Sequence, residues 1–261
     1  MPFSVVILAA QRAGVVNPLA ARAGVSHKCL VPIAGKPLIV HVVDVLDRLP
    51  GLACVRISVE PEIHELLAAL LAPYVARGMA IAFVAPSTNI ADSMLMAVAG
   101  QQAPYIITTA DNVLLSRAAI ADTLAALSEA DVVANLATQA AVQAVNPLAQ
   151  RRFYEFRDGG YANCNLYGVS GPHAFRSAEV FRQGGQFLRN PARLLRAFGL
   201  VVVVSMRFRL LSLASIMKLV SRRFGLRFRA VVPADGAQAI DVDNERTYAV
   251  AERVLVARAA G

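Results

Sequence analysis

Residues 5–39 read VVILAAQRAGVVNPLAARAGVSHKCLVPIAGKPLI. The run Ser4–Ala10 (SVVILAA) is short, continuous and apolar and ends in small residues, which predicts a buried first strand. Such a strand delivers the chain to a loop at the carboxyl edge of a sheet, the edge where open α/β sheets bind ligands. Leu8, Ala9, Ala10 and Gln11 form that exit, where small side chains leave backbone amides open, and Gly14 lets the loop turn. Arg12, Arg22 and Lys28 bring positive charge suited to phosphates, Lys as a compact point charge and Arg as a planar fork. The spacing matches neither a P-loop nor a dinucleotide fingerprint. On the residues alone, an ordinary strand-to-helix loop with solvated charges fits as well.

Outward from this segment, strand and helix patterns alternate. Helical spacing predicts a helix over Pro37–Leu49, with Pro near its start. Strands are expected at Cys54–Val59, Ala80–Val84, Tyr105–Thr109 and Asp131–Leu136, with helices at Pro61–Val75, Ile90–Ala99 and Ser116–Ser128 between them. This order predicts a three-layer α/β/α, Rossmann-like fold with a mostly parallel sheet. Beyond Gln150 the pattern shortens: strand-like pieces at Arg152–Phe156, Asn163–Val169, Phe228–Val232 and Ala239–Asp243, basic helices among them, and a last helix from Glu245 to Arg258. Without repeats or a Pro/Gly/Ser-rich linker, residues 1–261 are expected to form one domain with a basic elaboration at about 175–229.

Apolar residues make up 56% of the 261, which excludes disorder as a main theme and supplies a large core. Cys29, Cys54 and Cys164 are widely spaced and odd in number, as expected of reduced thiols in the cytoplasm and not of a zinc site or a disulfide framework. No basic segment precedes the first apolar run, so no secretory signal is expected. The longest uncharged apolar run in the second half, Ala197–Met206, is far short of the ~20 residues of a spanning helix.

Carboxylates appear at two telling places. Asp111 follows the apolar strand Tyr105–Thr109, where a strand-end carboxylate suits Mg²⁺, a hard ion held by one or two carboxylates plus substrate phosphates; a turn or cap role is the plain alternative. Asp241 and Asp243 lie two apart and share a face if the segment is a strand, unless one of them caps the last helix.

Together these pieces resemble the nucleotidyltransferases with a glycosyltransferase-A-like fold. That group includes sugar-phosphate uridylyl- and guanylyltransferases, methylerythritol- and inositol-phosphate cytidylyltransferases, and molybdenum-cofactor nucleotidyltransferases. Leu8-Ala9-Ala10, the loop lysine Lys28 and Ile33-Ala34-Gly35-Lys36-Pro37-Leu38-Ile39 match their signature; Ile240-Asp241-Val242-Asp243-Asn244-Glu245 followed by Ala249-Val250-Ala251-Glu252 resembles their closing motif. The resemblance spans most of the chain but not the stretch from about Phe175 to Arg227. It departs at Gln11, where the family has Gly, and at His27, where it has Pro.

The resemblance implies a nucleotide-diphospho-sugar-transferase type of fold and a reaction that moves a nucleoside monophosphate from an NTP to a small phosphorylated acceptor, releasing pyrophosphate. It implies Mg²⁺ on Asp111 and Asp243, with Asp241 as the alternate, and catalytic charge from Lys28 with Arg12 or Arg22. Asn89-Ile90-Ala91-Asp92-Ser93 resembles the base-contacting segment of the cytidylyltransferases, which points to CTP through Asp92 and Ser93, although a serine in a first helical turn is also common as structure. Asn163 and Asn165 resemble the family's acceptor-holding strand and imply a sugar or polyol phosphate. Two rival classes use the same scaffold: a non-catalytic regulator, motivated by Gln11 and His27, and a glycosyltransferase with a nucleotide-sugar donor.

Charge is uneven. Arg176 to Arg229 holds twelve Arg or Lys against Glu179 alone, a net of +11, while the rest of the chain sums to −3 within a total of +8. No recognition motif or stacking-aromatic pattern accompanies it, so nucleic acid is not expected as a partner. Leu210, Leu213, Met217, Val220 and Phe224 make one helical stripe, with Lys218 and Arg222 on another. A basic amphipathic helix of this kind suits peripheral docking on the anionic inner membrane face; a core helix, or a homodimer face fed by the apolar surplus, explains the stripe equally well.

Overall fold

The computed structural model describes residues 1–11, 14, 17–181, 195–196 and 198–260. The predicted first strand is β1 (Phe3–Leu8), and its Val5, Val6 and Ile7 are wholly buried. A central strand buried on both faces needs apolar side chains at every position, which is why this run does not alternate. β1 pairs in parallel with β4 (Leu52–Ser58) on one side and β6 (Tyr105–Thr109) on the other; β5 (Ile81–Val84) continues beyond β4.

On the far side of β6 the direction changes. β9 (Gly159–Val169) runs antiparallel to β6 and to β7 (Val132–Thr138), and β10 (Phe228–Val231) closes that edge parallel to β7. The order is β10-β7-β9-β6-β1-β4-β5, with β8 (Tyr154–Phe156) attached to β9. The sheet is thus mostly parallel and mixed, as the sequence pattern implies.

Helices cover both faces. Phe3, Val5 and Ile7 share one cluster with α2 (Leu38–Leu46), α3 (His64–Ala76) and α5 (Arg117–Ala126). Val6, one residue out of phase, packs on the other face with α4 (Ile90–Val98) and with the 3₁₀ segment Pro172–Phe181. α1 (Pro18–Ala23), the hairpin β2 (Pro32–Ile33)–β3 (Lys36–Pro37) and α9 (Glu245–Ala260) share a third cluster at the end of the sheet. The hairpin turns on Ala34 and Gly35, both at positive φ (45° and 79°), as its tight two-residue loop requires.

One sequence expectation is corrected. Ala239–Asp243 is not a strand: Gly236–Ala239 makes a 3₁₀ turn, and the acidic residues after it follow an extended path tied by Val242 N–H to the Asp111 carbonyl at 3.1 Å. The segment lacks an edge to pair with, because β9 and β7 already satisfy each other there. Part of the apolar stripe considered for a membrane face is internal: Leu213 and Val220 of α8 (Leu213–Phe224), with Ile216 between them, are buried with Val202 of α7 (Leu200–Arg207) and with Leu136, Phe156 and Tyr161, whereas Leu210 before the helix is exposed.

Part of the basic charge is matched by nearby acids. Arg227 binds Asp131 through both side chain and backbone, Arg229 meets Glu129 and Arg209 meets Glu155. The Arg227 hydrogen bonds hold the Asp131 carboxyl down at about 2. No helix among the described residues is long and apolar enough to cross a membrane.

Gly236 fixes where the acidic segment starts. A Cβ there would meet the Ala141 carbonyl carbon and oxygen of α6 (Gln139–Val145) at 2.2 Å, so only glycine lets the turn close on that helix. Gly236→Ala is expected to destabilise the chain by about 1–3 kcal/mol through overpacking. Thermal unfolding should show a loss of at least about 2 °C; an unchanged midpoint would contradict the close contact.

Candidate active site

The carboxyl ends of β1 and β6 lie side by side and open a cavity of about 400 Å³. Leu8, Ala9, Ala10 and Gln11 line it at the end of β1, Thr109, Ala110 and Asp111 at the end of β6, and Lys28 between them. The amides expected to stay open are partly taken. Ala9 N–H donates to the Ser58 carbonyl at 2.9 Å and Gln11 N–H to Glu60 Oε1 at 2.8 Å.

The two departures from the family signature meet at Glu60. Gln11 binds it through the backbone, and His27 Nε2 lies 3.4 Å from its other oxygen. The Gln11 carboxamide also donates to the Ser26 carbonyl at 3.1 Å. The loop's entry and exit are thereby fastened to each other. Gly14 has φ +72°, in accord with its expected turn. Arg12 lies outside the described residues.

Lys28 opens a short 3₁₀ turn beyond α1. Its Nζ donates to Asp111 Oδ2 and, at 2.8 Å, to Asp243 Oδ1. Burial works against its charge, but Asp111 and Asp243 outweigh burial and raise its pKa. Arg22 points elsewhere: it pairs with Glu245 and lies over the Tyr248 ring at 5.1 Å. Lys36 of the Gly-Lys-Pro-Leu segment binds Asp44 at 2.7 Å, within the hairpin and α2.

Asp111 and Asp243 thus share one ammonium although 132 positions separate them. The cap of the last helix is Asn244, not an aspartate. Its Oδ1 accepts from the Arg246 and Thr247 amides, while Thr247 Oγ1 accepts from the Asp243 and Asn244 amides. This reciprocal cap holds Asp243 in place and leaves its carboxylate free for Lys28.

Asn165 lies in a bulge of β9. It has φ +46°, and between Ala134 and Leu136 of β7 the pairing jumps from Tyr167 to Asn163. Bulges re-aim side chains near active sites; here Asn165 Nδ2 donates to Asp241 Oδ2 at 2.6 Å. Asn163 Nδ2 donates to Asn165 Oδ1 and to the Tyr167 hydroxyl, both at 2.6 Å. The two asparagines therefore meet, as expected, but through an irregular strand.

The Oδ1 atoms of Asp111 and Asp241 are shielded from water and accept no hydrogen bond from the described residues. Burial, then the nearby charges of Asp111 and Asp243, push the Asp241 carboxyl well above the usual range. Among the described residues no three His, Cys, Asp or Glu side chains gather into a closed metal site. Two bare carboxylate oxygens beside a half-neutralised acidic group fit an open site, one that a hard divalent ion completes with ligand phosphates.

Ser93 and Ile90 line the same cavity at the start of α4. The Ser93 hydroxyl accepts from Ser87 N–H at 2.8 Å and donates to the Asn89 carbonyl at 2.9 Å, so it fixes the turn before the helix. Asn89 caps the helix, and its carboxamide holds Asp92 at 2.7 Å.

A second cavity, of about 540 Å³, lies on the other side of Asn165. Asp241, Asp243, Asn163 and Asn165 line it, together with Arg151, Arg152 and Arg246. Sequence reading missed these three arginines, because they lie outside the basic stretch and are brought together only by the packing of α9. Burial and Arg151 depress the pKa of Arg246, as expected where like charges await an anion. Glu60 was missed for a similar reason: it reaches the loop only because β4 pairs with β1.

Residues 5–158 match the model of the MobA-like NTP transferase domain. Among solved structures the chain is similar to a hypothetical transferase from Thermus thermophilus, with TM-score 0.71, 23% identity, and coverage of 95% of this chain and 99% of that one. It is also similar to 4-diphosphocytidyl-2C-methyl-D-erythritol synthase from Anaerococcus prevotii (TM-score 0.61, 11% identity, 98% of each chain). A third similarity is to CMP:2-keto-3-deoxy-manno-octonic acid synthetase complexed with CTP (TM-score 0.59, 14% identity, 99% of this chain and 100% of that one). No curated protein matches the chain.

The Asp241 shift has a consequence for stability. An unfolded aspartate titrates near 3.9, whereas the folded chain keeps this proton to higher pH. The stability it contributes is full below about pH 4 and is lost as pH rises through the folded value. Asp241→Asn removes that loss. The variant should melt higher than the parent at about pH 8, with the gap shrinking toward about pH 4. A gap that widens on acidification would contradict the buried, proton-holding carboxyl.

Proposed function

The chain belongs to the MobA-like NTP transferase family and is a nucleotidyltransferase, and from that premise we propose that it joins the nucleoside monophosphate of CTP to a small phosphorylated acceptor, with Mg²⁺ as cofactor. The observation that carries this reading is Lys28, bound to both Asp111 and Asp243 where the two cavities meet.

The cavity at the ends of β1 and β6 suits the triphosphate and base, with Lys28 facing the phosphates and the Ile90–Ser93 turn beside the base. That turn supports the choice of CTP. The arginine-lined cavity suits an anionic acceptor. A phosphorylated sugar or polyol would place its phosphate near Arg151, Arg152 and Arg246 and its hydroxyls near Asn163 and Asn165.

The acceptor's phosphate oxygen forms the new bond to the α-phosphorus, and the bond from the α-phosphorus to the leaving pyrophosphate breaks. The chain supplies no covalent nucleophile for this step. It positions the reactants and offsets developing negative charge, which is the main requirement of phosphoryl-group transfer. Lys28 stands where charge grows on the leaving side. Asp111 and Asp243, with Asp241 behind them, would hold a Mg²⁺ ion whose chemistry is neutralisation of the phosphates.

The decisive experiment is pyrophosphate release from each of the four NTPs with a panel of sugar, inositol and alditol phosphates and Mg²⁺. Release with CTP and one acceptor class is the expected result. Release of UDP or GDP from a nucleotide sugar would replace this reading with glycosyl transfer; no turnover with any pair would favour a non-catalytic binder whose loop is fastened by Glu60. Asp111→Asn and Lys28→Ala should each lower turnover by about 100-fold or more while the chain still folds. Near-parental turnover in both would sink the assignment.

A further inference from the structure

A third cavity lies between the sheet and helices α7 and α8, with a volume of about 160 Å³. Its wall is almost entirely apolar: Ala134 and Leu136 of β7, Val202 and Met206 of α7, Val220 and Phe224 of α8. The Ser177 hydroxyl donates to the Ala174 carbonyl at 2.7 Å, and the Asn163 carboxamide is spent on Asn165 and Tyr167. Protein interiors are close-packed, and apolar surface that no described side chain covers costs stability.

The position of the void is as informative as its size. Tyr154 and Asn163 line both this cavity and the arginine-lined one, so they form a common wall between them. On one side of that wall are Arg151, Arg152 and Arg246; on the other is apolar space. A dry apolar cavity of about 150 Å³ holds a molecule of benzene. The two together have the shape of an amphiphile: an anionic head, a polar collar at Asn163, and an apolar group of about six carbons.

We propose that the acceptor is an amphiphilic phosphate whose apolar substituent passes Tyr154 and Asn163 into the cavity under α7 and α8. This rests on the nucleotidyl-transfer reading for its chemistry, and it narrows the acceptor from any small phosphate to one with an apolar part. A sugar or polyol phosphate bearing such a group satisfies both cavities; a bare one leaves the apolar cavity empty. Each methylene buried there tightens binding about four-fold, so even partial entry gives a clear preference.

The test is calorimetric titration of the full-length protein with n-hexyl phosphate and with methyl phosphate, which present the same charged group and differ only in the apolar part. Hexyl phosphate is expected to bind at least about tenfold more tightly. Ala134→Leu fills the cavity from the sheet side and should erase that preference while leaving methyl phosphate affinity unchanged; Val202→Phe, which fills it from α7, does the same if the first variant fails to fold. Equal affinities for the two phosphates in the parent protein would overturn the proposal, as would a preference that survives in a folded cavity-filled variant. These titrations contain no nucleotide, so their failure is separate from that of nucleotidyl transfer, which is judged by pyrophosphate release alone.

Discussion

The antiparallel strand β9 is the constraint on which the site depends. It is inserted between β6 and β7, which both run the other way, and it hydrogen-bonds to both. An all-parallel sheet would place only strand ends near a ligand. A reversed strand brings its interior past the ends of its neighbours, so Asn163 and Asn165 stand beside Asp111 and the closing acidic segment. The bulge at Asn165 follows from this demand. The carboxamide reaches Asp241 while Cys164 and Leu166 on either side of it stay buried, and the bulge sets its aim. The burial that pushes the Cys164 thiol up to about 12 is the other side of the same geometry.

Around that strand, charges of both signs gather at two neighbouring places. Asp111 and Asp243 meet at Lys28, and across Asn165 the carboxylates of Asp241 and Asp243 share a cavity with Arg151, Arg152 and Arg246. Two arginines of the larger basic stretch, Arg227 and Arg229, pair with Asp131 and Glu129 on the opposite edge. Surface pairs of this kind add little stability individually. Their effect is to keep that charge matched at the β7–β10 edge.

The sheet was legible because its code is local. Val5, Val6 and Ile7 are apolar in sequence and buried on both faces, and the strand-and-helix alternation through Leu136 reproduces the order of elements. Lys28, Asp111 and Asp243 were legible because each stands at an element end, where side chains project into the cleft. The rest depended on partners distant in sequence. Glu60 gained a role only through the β1–β4 pairing, and Arg246 only through the cap at Asn244. The stripe on α8 was a real helical periodicity, but periodicity does not say what covers it, and the sheet does. The path of residues 239–243 was misread because alternation mimics a strand even where no neighbour offers a ladder. Neither sequence position nor composition could reveal a void, since a cavity belongs to no residue.

The shared ammonium of Lys28 makes the site a two-sided balance. While the side chain bridges Asp111 and Asp243, it serves as an internal counter-ion that lets three acids stand close. An anion that draws the ammonium toward itself uncovers the carboxylates; a cation that settles on the carboxylates releases the ammonium. Each ligand therefore strengthens the binding of the other, by the same factor in both directions. Order of addition then becomes immaterial to the final complex, and either ligand alone binds against the resistance of a bond already made.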